Sequence, residues 1–336
     1  EYNGVKMWNQ DGSAFDGEQT QEVEKLIAQG GRKAGWDEML EERLWTGAID
    51  EHILTIMEEV GPIERSLVLD CGNGATGPVS PRLFRDLGCD IVALNANPDG
   101  RFPGRPSEPS EANLRDLMSL CKAKGVAGIV HDGDGDRMVA VDEDGRYVSG
   151  DRLLALFASL LQVKQMAAPV DASMVLDDIV GGPIARTKVG DMFVSEALKK
   201  KGLPFGGEPS GTFIFPSVNY CPDGMLAGAY LLKLLDGRPL KEVVSTLPTY
   251  PSLRDSFPFD PSKGEKVRER LAEELSSIEG DLTTVDGYRV DLGHGWLLVR
   301  LSGTEPKVRL TAEARNKKDL DKIAEMARKR VRKALG

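Results

Sequence analysis

The feature that most limits how this chain can fold is a recurring alternation of short apolar runs with amphipathic stretches, punctuated by glycine-rich turns. It is clearest from Ser66-Leu67-Val68-Leu69-Asp70 onward. That run is too short for a helix and reads as a buried strand. A turn at Gly72–Gly77 follows, then helical spacing from about Val79 to Leu87 and a second strand over Asp90–Leu94. A helix from about Ser110 to Lys124, a strand over Ala127–Val130, an acidic loop at 132–137, a strand over Met138–Val141 and the turn Glu143-Asp144-Gly145 complete the unit. Strands alternating with helices bury their apolar faces by stacking helices on a sheet, so the predicted class is α/β.

The alternation restarts at Gly150-Asp151. The sequence predicts a helix over 151–162, a strand over Ser173–Leu176, a turn at Gly181-Gly182 and a helix from about Met192 to Lys200. A glycine-rich loop at 206–211, a strand over Thr212–Phe215 and a helix from about Asp223 to Leu235 follow. No internal sequence repeat is clear, although the two units are compatible with a shared fold. Four prolines between Pro248 and Pro261 read as a linker. From about 263 the pattern is that of a smaller α+β domain. Its final helix carries Leu320, Ile323, Ala324, Ala327 and Val331 on one face, and its basic run Arg328–Lys333 reads as a solvated face near a helix C-terminus. Before the first unit lie an extended piece over Gly4–Trp8 and a helix from about Glu18 to Ala28 with Val23, Leu26 and Ile27 on one face. A connector at Gly30–Gly35 and a helix with Ile49, Ile53, Ile56, Met57 and Val60 complete this part.

Composition narrows the function classes. The net charge of −10 argues against a general nucleic-acid binder. The longest apolar stretch, Leu153–Leu161, is about half of what a membrane span needs. Four cysteines with no CxxC pair fit a reducing, cytoplasmic setting, not a disulfide scaffold or zinc site.

Four loops can carry chemistry. In His131-Asp132-Gly133-Asp134-Gly135-Asp136-Arg137, three carboxylates at alternate positions converge only if a cation offsets their repulsion, and oxygen donors suit a hard divalent ion. An EF-hand is disfavoured, because its sixth position needs glycine and here holds Arg137, and because the flanks read as strands. In Arg300-Leu301-Ser302-Gly303-Thr304-Glu305-Pro306-Lys307-Val308-Arg309, a strand-end arginine and two hydroxyls flanking a glycine suit a phosphate. Gly206-Gly207-Glu208-Pro209-Ser210-Gly211 places a carboxylate and a hydroxyl in a tight turn that suits a polyol. Gly72-Asn73-Gly74-Ala75-Thr76-Gly77 matches the dinucleotide fingerprint literally. No acid ends the second strand, where Asn95, Ala96 and Asn97 stand, so a tight strand–helix turn is the better reading.

Taken together and in order, these loops resemble the α-D-phosphohexomutases: the phosphoglucomutases, phosphomannomutases and phosphoglucosamine mutases. DGDGDR resembles the family's magnesium loop, and GGEPSG its sugar-recognition loop. Arg186-Thr187-Lys188-Val189-Gly190-Asp191 resembles a substrate loop, and RLSGTEPKVR the phosphate loop. The resemblance implies consecutive α/β three-layer domains plus a C-terminal α+β domain around a central cleft. The implied units are a remnant of the phosphoserine domain (1–47), a domain with the metal loop (48–149), one with the sugar loop (150–250) and one with the phosphate loop (251–336). It implies a Mg²⁺-dependent exchange of hexose or hexosamine 1- and 6-phosphates through a phosphoserine and a sugar bisphosphate, in a monomer or homodimer.

Carried over by position, Asp132, Asp134 and Asp136 match metal ligands, and Arg137 an arginine facing the reacting phosphate. Glu208, Ser210 and Lys188 match sugar contacts. Arg300, Ser302, Gly303, Thr304 and Arg309 match the site of the non-reacting phosphate. Lys6 matches a general acid/base, a role for which neighbouring cations or burial would have to lower its pKa. The sequence departs from the family twice. No Ser-His-Asn-Pro-like loop occurs, and the chain starts where that loop would just have ended, so the expectation is an inactive fragment of a longer mutase. Thr212 stands where many members have histidine. GEPSG, with Phe-Ile-Phe-Pro after Thr212, is similar to archaeal phosphoglucosamine- or phosphomannomutase-like members. The alternatives are a non-catalytic sugar-phosphate binder and, further off, an NAD-dependent dehydrogenase.

Overall fold

The computed structural model describes residues 5–31, 33–302 and 305–336. Helix α1 (Gly17–Ala28) starts on a reciprocal cap: the Asp16 carboxylate accepts from the amides of Glu18 and Gln19, and the Gln19 side chain accepts from the Asp16 amide. None of its residues is buried, and Leu26 and Ile27 are 54% and 73% exposed, so the apolar face expected here stays open to solvent.

The first α/β unit follows the predicted alternation. It comprises α2 (Ala48–Val60), β1 (Ser66–Asp70), α3 (Ser80–Asp86), β2 (Asp90–Leu94), α4 (Arg115–Lys124), β3 (Gly128–His131), β4 (Met138–Val141) and β5 (Tyr147–Val148). The sheet order is β2-β1-β3-β4-β5, with β1 parallel to both β2 and β3 and the β3–β4 hairpin antiparallel. The four residues of β3 and of β4 are all buried, as expected for strands covered on both faces.

The second unit repeats the plan. It contains α5 (Gly150–Leu160), β6 (Met166–Pro169), α6 (Val175–Ile179), β7 (Ile184–Thr187), α7 (Asp191–Lys201), β8 (Gly206–Gly207), β9 (Phe213–Ile214), α8 (Gly224–Leu235) and α9 (Leu240–Ser245). Its order β7-β6-β8-β9 copies β2-β1-β3-β4, down to a closing antiparallel hairpin. The strand expected at Ser173–Leu176 is instead the entry into α6, and the strand of this unit is Met166–Pro169. That strand is built from small residues and closed by proline, so it lacks the β-branched signature, while the apolar run after it serves a helix equally well.

The C-terminal unit is an antiparallel sheet, β10-β14-β13-β12-β11, made of β10 (Ser252–Pro258), β11 (Asp281–Thr283), β12 (Tyr288–Asp291), β13 (Gly295–Leu301) and β14 (Lys307–Ala314). Helices α10 (Gly264–Ser276) and α11 (Lys317–Leu335) cover one face. The expected linker is therefore an edge strand, paired with β14 at seven positions. Its prolines flank or end the strand and interrupt no ladder, which an edge position tolerates. In α11 the predicted face is buried, Arg328 pairs with Asp255, and Arg330 and Lys333 pair with Glu274. No helix among the described residues is long and apolar enough to cross a membrane.

One buried carboxylate ties the C-terminal unit to the second. Glu313 on β14 accepts from Ser173 Oγ at 2.6 Å, the Met174 amide at 2.7 Å and Trp296 Nε1 at 2.8 Å. Arg289 lies 4.0 Å over the Trp296 ring and donates to the carbonyls of Val170 and Ala172. Glu313→Ala strands three buried donors, so it should cost about 3–5 kcal/mol. Chemical denaturation of the two proteins checks this, and a loss below about 1 kcal/mol would contradict the assignment of Glu313 as the tie.

Candidate active site

The acidic loop is the turn of the β3–β4 hairpin. Ligand oxygens from Asp132, Asp134 and Asp136 lie within 4.8 Å of one another, a hard oxygen-only donor set that fits Mg²⁺. Asp132 is buried, and its Oδ1 accepts from the amides of Gly135 and Arg137, which folds the loop back on itself. Burial pushes its carboxyl pKa up, Arg137 opposes, and the charges of Asp136 and Asp134 add to the rise; a bound cation would reverse that balance. Arg137 donates from Nε to Asp132 Oδ2 at 2.7 Å and from Nη1 to both oxygens of Glu108, at 3.0 and 2.9 Å.

Two supports lie beneath this loop. The buried Arg105 pairs with Asp70 at 2.9 Å and donates to the His131 carbonyl at 2.5 Å. The 72–77 turn abuts the loop directly: the Ala75 amide donates to the Gly133 carbonyl, and a Cβ on Gly74 would stand 2.3 Å from that oxygen. The space a dinucleotide pyrophosphate would need over this glycine is thus filled by the backbone of the acidic loop, which removes the basis for the dehydrogenase alternative. His131 is buried, hydrogen-bonded to Ser80 Oγ through Nε2, and burial pushes its pKa down to about 4, so it is neutral.

Lys6 reaches this loop, bonded to Asp136 and 3.6 Å from Asp134. Partial burial pulls its pKa down, but the bond to Asp136 and the charges of Asp136, Asp191 and Asp134 outweigh it, and the pKa lies above its ordinary value. The surroundings are opposite to those expected for a lysine poised to give up its proton.

The GGEPSG loop is the turn of the β8–β9 hairpin, the position in the second unit that corresponds to the acidic loop in the first. The two turns meet. The Met138 amide donates to the Gly211 carbonyl, and Arg137 and Thr212 form an antiparallel bridge. Thr212, at the position that departs from the family, is buried in that bridge, and its hydroxyl lies 3.0 Å from Ser210 Oγ. Glu208 is buried and accepts from the Gly190 amide at 2.6 Å.

The 186–191 segment links the 206–211 loop to Arg300. Beside Gly190, the Val189 amide donates to Asp286 Oδ2 at 3.0 Å, and Asp286 pairs with Arg300 at 2.9 Å. Asp286 carries no signal in the sequence, because its role depends on a long-range contact. Lys188 is exposed, with its ammonium 5.4 Å from the Phe193 ring centre, and does not join this chain of bonds. Arg300 and Arg309 face each other across β13 and β14 and line a cavity of about 330 Å³ with Arg254, Asp171, Ser256 and Thr311. Arg300 Nε is buried without a partner among the described residues. The Ser302 amide donates to the Lys307 carbonyl, closing the loop. Gly303 and Thr304 lie outside the described residues.

Burial, against the opposing Gly190 amide and with the nearby Asp191, Asp171 and Asp136 charges adding to it, pushes the Glu208 pKa up to about 7 from an ordinary 4.5. Between these values the folded chain holds a proton that the unfolded chain releases. This group's contribution to stability therefore falls as pH rises from about 4.5 to about 7, by about 3 kcal/mol in all. Glu208→Gln keeps an acceptor for Gly190 and removes the titration. Denaturation midpoints at pH 5 and pH 8 should diverge in favour of the variant at the higher pH; parallel profiles would contradict this.

Known proteins of one family resemble this chain over most of its length. Family models match in order: phosphoglucomutase/phosphomannomutase alpha/beta/alpha domain II over residues 49–145, alpha/beta/alpha domain III over 149–250 and the C-terminal domain over 260–330. A "Probable phosphoglucosamine mutase" of Methanosarcina acetivorans is 44% identical, over 100% of this chain and 78% of that protein. The phosphoglucosamine mutase of Methanocaldococcus jannaschii is 40% identical, over 100% of this chain and 79% of that protein. A solved phosphoglucomutase/phosphomannomutase family protein of Burkholderia thailandensis is 30% identical and superimposes with a TM-score of 0.83, covering 96% of this chain and 71% of that one. The repeated α/β plan, the loops it brings together and these matches make the chain a member of the α-D-phosphohexomutase family.

Proposed function

We propose that this protein is a hexosamine-phosphate mutase that exchanges the 1- and 6-phosphates through a phosphoserine and a bisphosphate intermediate. The observation that carries the reading is the hydrogen-bonded path Glu208–Gly190, Val189–Asp286–Arg300, which holds a polyol-binding carboxylate in register with a phosphate-binding guanidinium. The names of the archaeal relatives favour the amino sugar.

In this reading, Glu208 and Ser210 accept from and donate to the sugar hydroxyls, with Lys188 at the rim. Arg300, Arg309, Ser302, Gly303 and Thr304 hold the non-reacting phosphate. Asp132, Asp134 and Asp136 hold Mg²⁺, which when bound neutralises charge on the transferring phosphoryl group. Arg137 faces that group and is kept in place by Asp132. Lys6, the general acid/base by resemblance, is held charged by Asp136 and Asp134, so in this reading it serves as a cation beside the transferring group. With both ends of the sugar fixed, positioning and electrostatics supply most of the catalysis. These 336 residues hold no Ser-His-Asn-Pro-like loop to serve as nucleophile, and in this reading Ser210 and Ser302 serve sugar and phosphate. Arginines and a metal stabilise the transfer but cannot store the group.

Arg300→Ala should weaken hexose-phosphate binding by about 1.5–3 kcal/mol, the scale of a charge-assisted hydrogen bond. Calorimetric titration reads this directly, and unchanged affinity would place the phosphate elsewhere. The function itself is tested by conversion of glucosamine 1-phosphate to the 6-phosphate with Mg²⁺ and a trace of the bisphosphate. The assay uses the 336-residue chain and the same chain joined to a serine-loop domain from a relative. Turnover is expected only from the joined protein. Equal turnover by both would overturn the nucleophile argument, and inactivity of both would favour a non-catalytic sugar-phosphate binder.

A further inference from the structure

The cavity beside Arg300 contains an acid that phosphate binding does not explain. Of its three acidic residues, Asp255 pairs with Arg328, and Glu305 pairs with Lys307 and Arg309. Asp171 has no such partner. No other described residue donates a hydrogen bond to its side chain, no cation lies within ion-pair distance, and its Oδ1 is sealed from solvent without a donor. A largely buried carboxylate short of donors is costly unless something supplies them.

The position of Asp171 indicates what that is. It lines one cavity with Arg300, Arg309 and Arg254, feels the charges of Arg300 and Arg254, and its own charge reaches Glu208. It thus shares the cavity of the phosphate arginines and lies within electrostatic reach of the sugar carboxylate, beside any sugar phosphate seated on Arg300 and Arg309. It is also held rigidly. Arg289 grips the Val170 and Ala172 carbonyls on either side of it, and Glu313 grips Ser173 and Met174 just beyond.

We infer that Asp171 receives the C2 amino group of a hexosamine 1-phosphate and is the residue by which the site favours an amino sugar over its hydroxyl counterpart. This rests on the hexosamine-phosphate reading above. When the phosphate on Arg300 and Arg309 is the one at C1, the neighbouring carbon is C2, and its substituent lies beside the phosphate. An ammonium brings three N–H donors and a charge to the carboxylate, whereas a hydroxyl brings one donor and no charge. An N-acetyl group brings a neutral N–H and extra bulk to the same spot. With the 6-phosphate on the arginines instead, the adjoining ring carbon bears no amine. The preference therefore belongs to the 1-phosphate orientation.

The test is calorimetric titration of glucosamine 1-phosphate, glucose 1-phosphate and glucosamine 6-phosphate into the protein and into Asp171→Asn. The unaltered protein should prefer glucosamine 1-phosphate over glucose 1-phosphate by about 10-fold or more, the difference between a charged and a neutral hydrogen bond. In Asp171→Asn the preference should fall to within about 2-fold through loss on the amino sugar alone, with the other two ligands changed less than about 3-fold. An equal loss on all three would make Asp171 a support for Arg254 and Arg300 and overturn the inference. If the variant fails to fold, the unaltered protein still decides: no preference for glucosamine 1-phosphate over both glucose 1-phosphate and N-acetylglucosamine 1-phosphate overturns it. Failure of the unaltered protein to bind any of these sugar phosphates would instead bring down the hexosamine-phosphate reading, and this inference with it.

Discussion

The site depends on the contact between two hairpin turns. The Met138 amide meets the Gly211 carbonyl, and Arg137 bridges Thr212, so the turn of one α/β unit pairs by backbone with the corresponding turn of the next. Such a junction tolerates no side chain in the way. A Cβ on Gly224, at the start of α8, would stand 2.5 Å from the Arg137 carbonyl, and one on Gly150 would stand 2.3 Å from the Gly211 amide. Both glycines serve the approach of two backbones, and so the distance between the acidic cluster and Glu208.

This contact explains how a repeated fold builds a site with two different ends. The same strand order twice over gives two closing hairpins, and topology alone assigns one loop to each. The sequence then makes the two unlike. One turn carries three aspartates on a buried frame propped by Arg105 and the 72–77 turn. The other carries a single carboxylate whose burial keeps it half-neutral near pH 7. The C-terminal sheet adds the third element, arginines on the face opposite its helices, and is fixed in place by Glu313 and Arg289.

What the sequence made readable follows from how local each signal is. Strands β1 to β4 are continuous apolar runs between turn residues, and the four loops are short motifs whose chemistry is written in adjacent positions. The two misread elements had conflicting local cues. Met166–Pro169 is a strand made of helix-tolerant alanines, and Ser252–Pro258 is a strand framed by prolines. The contacts that organise the site were harder to see. Asp286 lies about a hundred positions from the amide it accepts from, and nothing near it in the chain marks it. The environment of Lys6 was equally hidden, since the carboxylates around it arrive from more than a hundred residues away.

The same reasoning separates what Asp286 and Asp171 do, although both stand near Arg300. Asp286 is spent: it accepts from Val189 and pairs with the Arg300 guanidinium, so its charge is used in holding one side chain against one loop. Asp171 is held by its neighbours' backbone and leaves its own carboxylate uncommitted. A fold that pins a segment on both sides with a buried arginine and a buried glutamate, yet gives the acid between them no donor from another described residue, has placed a rigid acceptor. A rigid acceptor loses little freedom when it binds, so its preference for a charged donor is expressed almost fully as selectivity. On the inference drawn for Asp171, the tie at Glu313 would take part in distinguishing one sugar from another by fixing the segment that carries the acid.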